Sequence, residues 1–195
     1  MSDASVGQSY MLDAIMKMQY ASCTAHTVII FGVGTGNGLR HIDPARTREV
    51  IGIDINADYL AVCKERYDHG AYPLRLITTD VDHGSFTLPP ADLIIANLFL
   101  EYVDLQHWIS LIQQCLHSGT VLSVVLQRNN EAPFVSNTGN ERLRLLAEYH
   151  HDVQPDEFIA AMKRNSLVCF FQEVYDLPGK KQFVRLDLRL EQHQR

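Results

Sequence analysis

The chain has 195 residues, 46% hydrophobic and 21% charged, with a net charge of −6. That length suits one domain with a sizeable core, and the composition is that of a soluble globular protein. The acidic balance and the lack of any long basic run argue against general nucleic-acid binding.

Four widely spaced cysteines, Cys23, Cys63, Cys115 and Cys169, form no paired spacing and read as reduced residues of a cytoplasmic protein. The N-terminus shows no basic-then-apolar leader. The longest apolar run, around Leu93 to Leu100, is interrupted by Asn97 and is too short to span a bilayer.

Residues 8 to 20 have the spacing of an amphipathic helix, with Met11, Ile15 and Met18 on one face and Leu12 and Met16 beside them. Val28 to Phe31 is the first predicted strand. The helix after it is short or broken, because Asp43-Pro44 interrupts it. Val50 to Asp54 is the second strand, and Asn56 is a suitable N-cap for a helix burying Tyr59, Leu60, Cys63 and Tyr67. Leu74 to Thr78 is the third strand and Asp92 to Asn97 the fourth. Leu105, Trp108, Ile109, Ile112 and Leu116 recur at helical spacing up to Gly119, and Thr120 to Leu126 is a fifth, near-continuous apolar strand.

Residues 127–155 break this rhythm and read as an insertion, with loop chemistry from Arg128 to Asn140 and a short helix over Leu143 to Tyr149. Asp156 to Arg164 is a helix with Phe158, Ile159 and Met162 inward. Leu167 to Tyr175 and Gln182 to Leu190 make a terminal hairpin about Pro178-Gly179. Its last strand alternates, with Val184, Leu186, Leu188 and Leu190 on one face and Arg185, Asp187 and Arg189 on the other. Strands alternating with helices predict a single α/β domain over residues 1–195, with residues 1–26 as an N-terminal helical cover. The expected architecture is a Rossmann-like, doubly wound sheet of seven strands, mostly parallel, ending in an antiparallel hairpin strand.

The functional signal lies between the first two strands. Gly32, Gly34, Gly36 and Gly38 alternate after an apolar strand, and Asp54 ends the next one. Glycine permits sharp turns and lets a ligand rest on bare main chain. A carboxylate about twenty residues on, at a strand tip, suits a ribose diol. In open α/β sheets ligands bind beyond the carboxyl ends of the strands, where Gly32, Asp54, Asp80 and Asn97 all fall. The pattern points to a cofactor that contains a nucleoside.

These residues resemble the class I S-adenosylmethionine-dependent methyltransferases over nearly the whole chain, and within them a bacterial subgroup of unassigned substrate. The Gly-x-Gly-x-Gly loop of that family is matched by Gly32, Gly34 and Gly36, with Val33 between the first two. The resemblance implies that Asp54 binds both ribose hydroxyls and that Ile55 packs on adenine. It implies that Asp80 accepts from the adenine amino group, that Val81 supplies a backbone donor, and that Asn97 and Leu98 stand near the methionine part. Two departures are visible. Ile30 occupies the position, two before the first glycine, where most members carry an acid. The fourth-strand tip reads Asn97-Leu98-Phe99-Leu100 rather than the Asn-Pro-Pro-Tyr of members that methylate exocyclic amines of bases.

The expected activity is methyl transfer to a small-molecule acceptor, by a monomer or homodimer with no membrane or nucleic-acid partner and no metal. A sulfonium methyl is already a good electrophile, so positioning is the main requirement and no catalytic residue is named from sequence. Tyr10, Glu101, Tyr102 and Arg128 are candidate acceptor contacts by position. Phe99 and Tyr10 are candidates to offer a π-face to the sulfonium. His150 and His151 diverge by about 100° on a helix and do not make a chelating pair. Two alternatives stand beside this reading. One is a non-catalytic protein binding the same cofactor. The other is a nicotinamide-dependent oxidoreductase, whose Gly-x-Gly-x-x-Gly loop would place a third glycine at Asn37.

Overall fold

A computed structural model describes residues 3–129, 152–178 and 181–192. The expected helix over Leu143 to Tyr149, His150 and His151 lie outside the described residues, as does most of the expected insertion. In chain order the elements are α1 (Asp3–Ala21), β1 (Thr27–Phe31), a 3-10 turn (Leu39–His41), β2 (Glu49–Asp54), α2 (Ala57–Tyr67) and β3 (Leu74–Thr78). Next come β4 (Leu93–Asn97), a second 3-10 turn (Leu100–Tyr102), α3 (Leu105–Gln113), β5 (Val121–Asn129), α4 (Pro155–Arg164), β6 (Leu167–Leu177) and β7 (Lys181–Leu190).

The strands form one seven-stranded sheet in the order β3-β2-β1-β4-β5-β7-β6, parallel from β3 to β5 and antiparallel at β7 and β6. The expected sheet is therefore present. The central strands are apolar at successive positions because both faces are covered. Ile29, Phe31, Ile51, Ile53 and Ile94 face α3 and α4, where Trp108, Ile112, Phe158 and Met162 are buried. Val28, Ile30, Val50, Leu93 and Ile95 point the other way, toward Met16 of α1 and Leu60 and Cys63 of α2. Successive strand side chains alternate faces, so one five-residue strand feeds both layers.

Several expectations are corrected. On α1 the buried face is Ile15, Met16 and Gln19, while Met18 and Tyr10 are exposed. Tyr59 of α2 is also exposed; Asn56 does cap that helix, accepting from the amides of Asp58 and Tyr59. Helix α3 stops at Gln113, short of Leu116 and Gly119, and its Asp104 N-cap accepts from the His107 amide. Strand β5 runs on through Arg128 and Asn129, because the register with β7 pairs them with Gln182 and Lys181. Arg185 and Asp187 do not face solvent: β7 is an interior strand, and the two side chains bury as an ion pair, Arg185 Nη2 to Asp187 Oδ2 at 2.6 Å. Strand β6 takes the edge.

Candidate functional site

The tips of β1, β2 and β4 meet where strand order reverses, since β1 sends the chain outward to β2 while β4 lies on its other side. The loop after β1 is tied to β2: the amides of Gly32 and Val33 both donate to Ile53 O, at 2.8 and 3.1 Å. Gly32, Gly34, Gly36 and Gly38 all have left-handed φ, between 54° and 88°. Their surroundings separate them into two kinds. A Cβ on Gly36 would lie 2.5 Å from the Tyr67 ring, and one on Gly38 2.5 Å from Met16 Sδ, so these two let α2 and α1 pack on the loop. A Cβ on Gly34 would meet nothing within 4 Å, so main chain lies bare there.

Asp54 stands beside that open face. Its Oδ2 accepts from the Gly34 amide and its Oδ1 from the Asn56 amide, each at 2.9 Å. Each carboxylate oxygen keeps a further lone pair for a hydroxyl donor. Ile55 next to it is 67% exposed, an apolar side chain available to a flat apolar ring. Asp80 is half-buried; Oδ1 accepts from the Asp82 amide and Oδ2 pairs with His83 Nδ1 at 3.0 Å. The His83 contact holds its carboxyl below the ordinary carboxylate range. Val33 and Val81 are buried, so they present only main chain to a ligand.

At the β4 tip, Asn97 is half-buried and Leu98 turns the chain with φ 53°, its amide donating to Val125 O at 2.8 Å. Asn97 helps line a cavity of about 30 Å³ under α1, with Leu12, Met16, Ile30, Gly32 and Asn37. No charged side chain lines it. Ile30 is buried against Met16, which explains the absence of an acid: a carboxylate there would be sealed in an apolar layer. Phe99 packs over Gly32 and against Phe31, with ring centroids 5.6 Å apart. A larger cavity of about 250 Å³, lined by Lys17, Tyr20, Cys23, His41 and Arg46, opens by Val28 in the amino-terminal half of β1, away from the strand tips.

Among the candidate acceptor contacts, the structure brings Glu101 to the end of β5, where its Oε1 accepts from the Gln127 amide at 3.0 Å. Glu101 is buried, its Oε2 has no partner among the described residues, and burial pushes its carboxyl up to about 6. Tyr102 is half-buried, and burial with the neighbouring Glu101 carboxylate raises its phenol to about 12. Arg128 is half-buried on β5. Tyr10 is 71% exposed and does not join them. Sequence reasoning passed over Gln19, which is fully buried and bonded to Asn97. Its signal was a polar residue four positions from Ile15 and three from Met16, on the face that the helix buries. No group of three or more potential metal ligands stands together among the described residues. Nor is any described helix long and apolar enough to cross a membrane.

Comparison with known proteins shows what this geometry is similar to. Residues 28–119 match a family model described as a methyltransferase domain. No curated protein matches the sequence. Among solved structures, N-methyltransferase NodS from Bradyrhizobium japonicum WM9 in complex with S-adenosyl-L-homocysteine superposes with a TM-score of 0.70 at 14% identity, over 94% of this chain and 87% of that one. Geranyl diphosphate C-methyltransferase from Streptomyces coelicolor A3(2) gives 0.69 at 15% identity, over 93% and 77%. Magnesium protoporphyrin IX methyltransferase from Synechocystis PCC 6803, with bound S-adenosylmethionine, gives 0.64 at 14%, over 94% and 80%. Residues 28–119 of this chain thus match a methyltransferase domain, and the described sheet has the fold of these solved methyltransferases.

Proposed function

We propose that the protein transfers the methyl group of S-adenosylmethionine to a small-molecule acceptor. The observation that carries this is the Gly34–Asp54 pairing at the strand-order switch, a bare main-chain surface with an acceptor-only group beside it. The residues present fit the cofactor. Asp54 has lone pairs for both ribose hydroxyls, Ile55 offers apolar surface to adenine, Asp80 accepts from the exocyclic amine, and the Val81 main chain borders the same ring. Gly32, Val33 and Gly34 supply the close main-chain approach, Gly36 lets the Tyr67 ring pack on the loop, and Asn97 and Leu98 border the amino-acid end. The two structural neighbours named for geranyl diphosphate and magnesium protoporphyrin IX support a small-molecule acceptor, and the net charge of −6 supports it over nucleic acid.

When bound, the cofactor supplies a sulfonium-activated methyl group. The chain's task is to hold the acceptor nucleophile in line at roughly 3 Å and to exclude water. Glu101 and Tyr102, on the turn after β4, and Arg128, on β5, are the side chains assigned to acceptor contact in this reading. Calorimetric titration with S-adenosylhomocysteine tests the reading. Micromolar binding by the parent, lost in Asp54→Ala, supports it; no binding by the folded parent sinks it.

A further inference from the structure

Gln19 of α1 and Asn97 at the β4 tip form a reciprocal amide pair: Gln19 Nε2 donates to Asn97 Oδ1, and Asn97 Nδ2 donates to Gln19 Oε1, both at 2.8 Å. The second Gln19 Nε2 proton goes to Ser123 Oγ at 2.9 Å. Ser123 in turn donates to Asp187 Oδ1, and Arg185 closes the chain with Nε and Nη2 on the two Asp187 oxygens at 3.0 and 2.6 Å. Gln19, Ser123, Arg185 and Asp187 are all buried.

The direction of every bond in this chain follows from its far end. An ionised Asp187 can only accept, so Ser123 must donate to it. The hydroxyl has one proton, so it must accept from Gln19, which fixes Nε2 on that side. Gln19 Oε1 is then left to face Asn97, and only Asn97 Nδ2 can donate to it. An ion pair two strands away thereby sets which way the Asn97 amide points. One Nδ2 proton and one Oδ1 lone pair of Asn97 remain beyond the Gln19 contact.

We propose that Gln19 is a specificity-determining positioning residue, holding Asn97 as a neutral anchor for the α-amino-acid end of the cofactor. The inference rests on the cofactor reading above and deepens it. An amino acid presents an ammonium, which needs an acceptor, and a carboxylate, which needs a donor. Asn97 retains one of each, and Asn37 is the other polar side chain lining this end. Ile30 offers neither. The amino-acid end is therefore read by oriented amides instead of a charge, and the orientation comes from the cover helix.

The test compares two ligands that differ at that end. S-adenosylhomocysteine carries the amino acid; 5′-methylthioadenosine keeps the adenosine and thioether without it. Both are titrated by calorimetry into the parent, Gln19→Met, Gln19→Glu and Asp54→Ala, with circular dichroism as the check on folding. The parent is expected to prefer S-adenosylhomocysteine by at least about tenfold. Both Gln19 variants are expected to weaken S-adenosylhomocysteine about tenfold or more while moving 5′-methylthioadenosine by less than about twofold; Asp54→Ala weakens both. Equal losses for the two ligands in the Gln19 variants would assign Gln19 a purely structural role and overturn the proposal. Equal affinity of the parent for both ligands would overturn it even if neither Gln19 variant folds. Failure of the parent to bind either ligand removes the cofactor reading itself, a result distinct from both.

Discussion

Glu101 Oε1 accepts from the Gln127 backbone amide at 3.0 Å, while its other carboxylate oxygen is buried among the described residues with no partner. Backbone hydrogen bonding does not offset the desolvation of the carboxylate, which burial pushes up to about 6 from 4.5. For an acid, a raised folded value means that the native state binds the proton more tightly than the unfolded chain does. Its contribution to stability is then greatest below about pH 4.5 and declines as pH rises through 6. The decline amounts to about 2 kcal/mol. Chemical denaturation from pH 4.5 to 7.5 should show this slope in the parent and a flatter profile in Glu101→Gln. Identical slopes would remove Glu101 as the source.

The four loop glycines should respond differently to alanine. At Gly34 the methyl group meets no atom, so only the left-handed φ is strained, at about 1–2 kcal/mol. At Gly36 the same strain adds to a 2.5 Å clash with the Tyr67 ring, and about 2–5 kcal/mol is expected. Thermal unfolding should thus rank Gly36→Ala well below Gly34→Ala. Titration with S-adenosylhomocysteine should show Gly34→Ala folded but weakened, because its methyl group stands on the surface that a ligand would cover. A Gly34→Ala protein with parental affinity would place the ligand elsewhere.

How much of this was written in the sequence depends on whether the signal was local. Glycine spacing, an apolar strand and a terminal carboxylate are properties of neighbouring residues, so Gly32 to Asp54 was readable as one unit, and the mostly parallel sheet followed from alternation with helices. What was missed depends on partners far along the chain. Arg185 and Asp187 alternate with leucines as solvent-facing charges do; only the placement of β7 between β5 and β6 buries them. Gln19 gains its partner only when Asn97, 78 positions away, comes to meet it. Tyr59 and Met18 were assigned inward because periodicity fixes the spacing of a stripe and not its limits.

The buried pair makes a sharper energetic prediction than any surface charge. Asp187→Ala leaves the Arg185 guanidinium buried without its carboxylate and should cost about 3–5 kcal/mol. A double replacement, Arg185→Met with Asp187→Leu, removes both charges and should recover most of that loss. Urea unfolding of the parent and the two variants decides it. A double variant no more stable than Asp187→Ala would show that the pair is not the source of the loss.

The cavity between α1 and the β4 tip, about 30 Å³, has room for about two waters and not for an amino-acid chain. Leu12 and Met16 close it, and Met16 also fills the space at Gly38. Polar contacts hold the helix down through Gln19, bonded to Asn97 and Ser123, and through Asp13, whose Oδ2 meets Arg40 Nη2 at 2.5 Å and His41 Nε2 at 2.9 Å. Ligand entry at this end therefore requires α1 side chains to move, which flexible Met16 can do more cheaply than a branched residue. Amide hydrogen exchange should report it. On adding saturating S-adenosylhomocysteine, protection should change over residues 10–20 of α1 as well as over the glycine loop, whereas α4 on the far face of the sheet should stay constant. Change confined to the glycine loop would mean that the amino-acid end never passes beneath α1.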